Sequence, residues 1–162
     1  MYRTLLVPTD FSACSDAALA EAGRIAAAVG GRVHVIHAVE LAGGLTPETL
    51  VQPANRKERT SVDAYVKQET LPRVVAQAAR ALGPVAHGCR VAFGKPADAV
   101  LEVAREVGAD LIVVGTHGRT GLRALVLGSV AESIVRRADV PVLTVRRPEG
   151  EPQKPAADGS TG

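Results

Sequence analysis

Short apolar runs recur along the chain, and the stretches between them repeat their apolar residues every three to four positions. The runs are Thr4-Leu5-Leu6-Val7, Val33 to Val39, Val85 to Ala92, Leu111 to Val114 and Val142 to Val145. Strand and helix patterns that alternate in this way predict a parallel sheet, because parallel neighbours need a crossover and a helix usually supplies it. Helices then cover both faces, so the strands read as unbroken apolar runs. Aromatic residues make up only 2% of the chain, so aliphatic side chains must fill the core. A length of 162 residues fits one such domain and falls short of two.

The first helix is expected from Ser12 to Val29, with Ala18, Ala22, Ile25 and Val29 on one face and Gly30-Gly31 ending it through a left-handed turn. Leu41 to Arg59 is long for a connection, contains Gly, Thr and Pro, and is expected to be mobile. A second helix spans Thr60 to Leu82, where Pro72 predicts a kink or a break. The third starts at Pro96, a position where the first turn tolerates proline, and ends at Gly108. The fourth runs from Ser129 to Ala138. Residues 1–147 form the domain; 148–162, rich in Pro, Gly, Ala and polar groups, are an expected disordered tail.

Several function classes drop out. A net charge of +2, with no basic run that carries interleaved aromatics, gives no footprint for nucleic acid. Cys14 and Cys89 have no metal-ligand spacing and are read as reduced thiols. The apolar run Leu5 to Val7 is broken by Pro8, too short for a signal core or a membrane span, so a cytoplasmic location without a membrane partner is expected. No G-x-x-x-x-G-K-[ST] sequence occurs, and the first strand ends in Pro8-Thr9-Asp10 rather than in a G-x-G-x-x-G turn. Paired carboxylates, a Ser-His-Asp set and a Cys-His pair cannot be argued from spacing. Rapid turnover is therefore not expected.

In open parallel sheets, ligands sit beyond the carboxyl ends of the strands where the strand order reverses. After the Leu111 run comes Gly115-Thr116-His117-Gly118, and nine residues later Gly128-Ser129 opens a helix. Unpaired amides and the dipole of a helix start favour phosphate. Ser129 with Glu132 also fits a capping box, so on the glycines alone a phosphate site and a simple turn with a cap both stand. Asp10 as a phosphoacceptor lacks the acidic cluster and lysine such chemistry needs. His117 near phosphates is read as a hydrogen-bond donor rather than a base. His34 and His37 lie on opposite faces of a strand and cannot share a metal. Arg119 and Arg123 stand as either phosphate neighbours or solvated surface charges. Cys14 is read as a small packing residue.

Pro8-Thr9-Asp10-Phe11-Ser12, the stretch Asp110 to Gly118, the G-x2-G-x9-G-S spacing and Pro141-Val142-Leu143 together resemble the universal stress protein family, over about residues 2 to 147. The resemblance implies a single Rossmann-like domain whose five parallel strands take the order 3-2-1-4-5. In the ATP-binding branch of that family it implies Pro8, Thr9 and Asp10 beside adenine and ribose, with Asp10 accepting from a ribose hydroxyl. Ala38 and Val114 would line the adenine pocket. Gly115, His117, Gly118, Gly128, Ser129 and Val130 would surround ribose and phosphates. Ala131 departs from relatives that carry threonine there. Implied with this are ATP as ligand, Mg2+ or Mn2+ carried by its phosphates with no metal held by protein alone, no catalytic residue, a homodimer through the fifth strand, and unidentified protein partners. A nucleotide-free scaffold module and a slow ATPase are the rival readings.

Overall fold

A computed structural model describes residues 2–55, 57–116 and 127–146. The strands β1 (Thr4–Pro8), β2 (Arg32–Val39), β5 (His87–Phe93), β6 (Leu111–Gly115) and β7 (Val142–Val145) form one sheet in the order β5-β2-β1-β6-β7. Every pairing in it is parallel. Counting only the sheet strands, this is the order 3-2-1-4-5, and it reverses direction between β1 and β6. The sequence expectation holds.

Helices α1 (Ala13–Val29) and α2 (Val62–Leu82) pack on one face, while α3 (Pro96–Glu106) and α4 (Ser129–Arg137) pack on the other. Alternating residues of the central strands feed the two cores. Leu5, Val7, Val33, Val35, Leu111 and Val113 point to the α1–α2 side. Leu6, Ile36, Ile112 and Val114 point to the α3–α4 side. Each fully buried aliphatic side chain contributes roughly 1.5–3 kcal/mol by leaving water, which is why a core with so few rings holds.

Four expectations are corrected. The stretch read as a long mobile connection carries a short antiparallel pair, β3 (Leu50–Val51) and β4 (Thr60–Ser61). It is tied to the start of α2, where Val62 N–H donates to Thr49 O at 2.9 Å and Asp63 N–H to Pro47 O at 2.8 Å. These carbonyls satisfy amides that a helix start leaves without intrahelical partners. The second helix begins at Val62, with Ser61 as its cap, two residues later than expected. It runs unbroken through Pro72. Pro72 is exposed, while Val74, Ala78 and Leu82 keep the opposite face buried. The third sheet strand begins at His87 rather than Val85, since Val85 N–H closes the preceding turn onto Leu82 O. The expected tail, 148–162, lies outside the described residues.

Candidate functional site

Where β1 and β6 part, α1 leaves toward one face of the sheet and α4 toward the other. Between them opens a cavity of about 290 Å3, lined by Pro8 of β1 with Thr9 and Asp10 just after it, from β2 by His37 and Ala38, and from β6 by Val114 and Gly115. Pro96 and Val100 of α3 and Ala131 of α4 complete an apolar wall with Ala38 and Val114. Thr116, Gly128, Ser129 and Val130 form the far rim. The volume lies near the lower end of the range for small-molecule sites, and the wall is mostly aliphatic with few polar groups, as such sites require.

The junction of β1 and α1 is held by the protein's own hydrogen bonds. Thr9 is buried: its N–H donates to Ile36 O at 2.8 Å, and its hydroxyl donates to Gln77 Oε1 at 2.7 Å. The same hydroxyl oxygen accepts from Phe11 N–H at 3.1 Å. His37 Nδ1 lies 2.7 Å from Thr9 O. A carbonyl only accepts, so that ring nitrogen carries the proton. Asp10 Oδ1 accepts from Ser12 N–H at 3.0 Å, and Ser12 caps α1 by accepting from Ser15 N–H at 3.2 Å. Phe11 sits at φ 63°, a left-handed conformation uncommon for a bulky residue. Its ring packs 4.7 Å from that of His37.

The junction of β6 and α4 is built differently. Gly128 occupies the cap position at φ −61°, ψ 149°, ordinary extended backbone that needs no glycine, and the cap residue has no side chain with which to cap the helix. This corrects the capping-box reading. Ser129 is the first helical residue, one place too late to cap, and Glu132 pairs with Arg136 at 3.4 Å instead. Gly128 N–H donates to Thr116 O at 2.7 Å. The intrahelical ladder starts with Glu132 N–H on Gly128 O at 2.8 Å, so the amides of Ser129, Val130 and Ala131 precede it and point ahead of the helix. Asp98 and Arg137, farther back on the α3–α4 side, pair at 2.6 Å and leave the mouth alone.

Gly115 has a packing reason of its own. A Cβ there would lie 2.8 Å from the backbone C and O of Cys14, so β6 and the first turn of α1 touch main chain to main chain. The Cys14 thiol and the half-buried Cys89 thiol are free, and burial pushes the Cys89 thiol above its ordinary range.

Of the residues singled out from the sequence, Pro8, Thr9, Asp10, Ala38, Val114, Gly115, Gly128, Ser129 and Val130 meet around this one cavity. His117, Gly118, Arg119 and Arg123 lie outside the described residues. Ser12, Ser15, His37, Pro96, Val100 and Thr116 were missed. Pro96 and Val100 had a signal: all strands are parallel, so the helix after β5 must also start at this end of the sheet. His37 had none, because its bond to Thr9 reaches 28 residues along the chain and follows no period. Gln77 touches the cavity residues from behind and was equally invisible.

Comparison with known proteins agrees with this architecture. Residues 1–146 match the model of the universal stress protein family. The chain is 35% identical to universal stress protein MJ0531 of Methanocaldococcus jannaschii over 93% of its own length and 86% of that protein's. It superposes with a TM-score of 0.69 on the solved structure of MJ0577, at 22% identity, covering 93% of this chain and 99% of that one. A universal stress protein solved in complex with cAMP is 32% identical, with a TM-score of 0.62 over 90% of this chain and 97% of that one.

Proposed function

Because the chain belongs to the universal stress protein family, we propose that it is a stress-response regulator that binds an adenine nucleotide, ATP, in the crevice between β1 and β6. The observation that carries this reading is the meeting of three unlike surfaces in one cavity: an aliphatic wall, the carboxylate of Asp10, and an α4 N-terminus that no side chain among the described residues is seen to cap. An aliphatic wall suits a base, a carboxylate accepts from a sugar hydroxyl, and free amides at a helix start suit phosphate. Ala38, Val100, Val114 and Ala131 would then face adenine, Asp10 the ribose, and Gly128, Ser129 and Val130 the phosphates. His117 and Gly118 join the phosphate side by resemblance. The relative solved with cAMP supports an adenine ligand.

Among the described residues no group of three His, Cys, Asp or Glu is arranged to hold a metal. Mg2+ or Mn2+ would arrive on the phosphates. Binding is then read out as a change of conformation or assembly sensed by protein partners. The sheet edge at β7 is the proposed homodimer contact, since apolar edge strands left bare invite pairing. Two unpaired cysteines fit a reducing, cytoplasmic setting, and no helix among the described residues is long and apolar enough to cross a membrane.

The nucleotide-free scaffold reading has one observation in its favour. Gly115 is fully accounted for by its contact with Cys14, with no ligand needed. That reading leaves the cavity and the uncapped helix start without a purpose. The deciding experiment is to denature freshly purified protein and identify the nucleotide released, then titrate nucleotide-free protein with ATP and GTP by calorimetry. ATP in near-stoichiometric yield and weaker GTP binding are expected, because the guanine exocyclic groups would be buried unpaired. Equal affinity for GTP, or no binding at all, overturns the assignment; ADP accumulating over hours would turn it toward a slow ATPase.

A further inference from the structure

The described residues include four buried polar side chains, Thr9, Ser15, Gln77 and Thr116; Thr9 and Gln77 are hydrogen-bonded, and Ser15 lies beside Thr9. Gln77 stands on α2, which contributes nothing to the cavity lining, and is only 4% exposed. An amide buried this deeply is tolerated only with both ends engaged. Both are, and the direction of every bond is fixed by what its partner can do.

The Asp16 carboxylate can only accept, so Gln77 must turn Nε2 toward it, at 2.7 Å. That leaves Oε1 facing Thr9, and an amide oxygen also only accepts. The Thr9 hydroxyl therefore donates, at 2.7 Å, and keeps its lone pairs for Phe11 N–H at 3.1 Å. Ser15, whose oxygen lies 3.1 Å from that of Thr9, sends its proton to Ser12 O at 2.8 Å. Arg80, also on α2, holds Asp16 from the solvent side at 3.4 Å. A third residue of α2, Arg73, lays its guanidinium 4.4 Å from the centre of the Phe11 ring. The order from Asp16 through Gln77 and Thr9 thus pins Phe11 in its left-handed conformation. Asp10 lies between Thr9 and Phe11, and its own carboxylate is fixed by Ser12 N–H one turn position later.

We propose that Gln77 is a positioning residue for ribose recognition. From behind the site, it holds the turn of residues 8–12 in the one shape that presents Asp10 to the sugar. The inference rests on the nucleotide reading above. It assigns to α2, a helix that never meets the ligand, control over how the ribose is read. Losing the relay should blur ribose discrimination more than it weakens contacts to base or phosphate.

The test is calorimetric titration with ATP, 2′-deoxy-ATP and 3′-deoxy-ATP of the parent, Gln77→Leu, Gln77→Glu, and the double variant Gln77→Glu with Asp16→Asn, each checked for folding by circular dichroism. A carboxylate–hydroxyl bond is strong enough that the parent should favour ATP over at least one deoxy analogue by roughly tenfold. Gln77→Leu removes the acceptor of Thr9, and Gln77→Glu sets two carboxylates against each other. In both, discrimination should fall to about twofold or less. The double variant restores the order of donors: the new carboxylate accepts from Thr9 and from the Asn amide, so discrimination should return. A core contact with no part in positioning would change the melting temperature without moving this ratio.

Folded Gln77→Leu with the parent's discrimination overturns the inference, as does a folded double variant no better than Gln77→Glu. If Gln77→Leu does not fold, the comparison of Gln77→Glu with the double variant decides alone. A parent that binds ATP but ignores the ribose hydroxyls sinks this inference and leaves ATP binding standing; a parent that binds no adenine nucleotide sinks both.

Discussion

Two strand-to-helix junctions border the same cavity, and they satisfy their backbone in opposite ways. At β1–α1, Ser12 caps the helix, Asp10 fixes the turn, and Thr9 is bonded through its amide, carbonyl and hydroxyl. At β6–α4, the cap is a glycine with no side chain, and the amides of Ser129, Val130 and Ala131 precede the intrahelical ladder. Among the described residues, side chains close the first junction, and none is seen to close the second. Orphan amides at a helix start call for a partner, and an anionic one gains from the dipole as well. The contrast separates residues that shape the cavity from residues proposed to hold a ligand, a distinction a motif read along the chain does not make.

The largest effect should come from closing the open junction. Gly128→Val puts two methyl groups at the cavity rim, and Ser129→Glu sets a carboxylate against the phosphates. Each should weaken ATP binding by about a hundredfold or more. Both should leave circular dichroism unchanged, because the backbone at Gly128 suits any residue. Parent-like affinity in both folded variants would place the phosphates elsewhere.

Next is Gly115→Ala, whose Cβ meets backbone atoms of Cys14 that cannot swing aside. It should cost about 1–3 kcal/mol of stability, seen as a clear drop in melting temperature. Ligand affinity measured well below that melting temperature should change less. An unchanged melting temperature would mean that β6 and α1 are not in main-chain contact.

Ser129→Ala sharpens the comparison, because the hydroxyl does not cap α4. It should cost roughly 1 kcal/mol of binding, several-fold in affinity, and nothing in stability. A fall in melting temperature would restore the cap.

The smallest effect lies at the far end of the sheet. Burial, then the guanidiniums of Arg32 and Arg90, hold the His34 imidazole below its ordinary value of 6.5. The unfolded chain therefore takes up a proton first. The stability tied to neutral His34 is complete above 6.5 and is lost as pH falls through the lower folded value. His34→Gln should flatten the acid side of the melting curve by a few degrees at most, given its partial exposure. ATP affinity at pH 7.5 should not move.

The alternation of apolar runs and helical stretches made the main sheet and its order legible, since buried parallel strands and crossover helices leave long, regular patterns. The pair β3 and β4 was not legible: strands of two residues have no period to read. Of the kink or break expected at Pro72, the break does not occur, and the helix turns this proline to solvent. For the site, the position of the strand ends was readable, and so was the glycine spacing. What each glycine does was not. Gly115 answers to Cys14, and the three-way bonding of Thr9 depends on an amide 68 positions away along the chain.

Because α1 and α4 leave the sheet toward opposite faces, the hollow between β1 and β6 is a product of strand order and not of any side chain in it. Substitutions along its walls can change what it admits, or make it admit nothing, without erasing it. A relative with the same strand order would keep the same recess whatever its walls admit, so the recess reports the strand order and leaves the occupant to be measured.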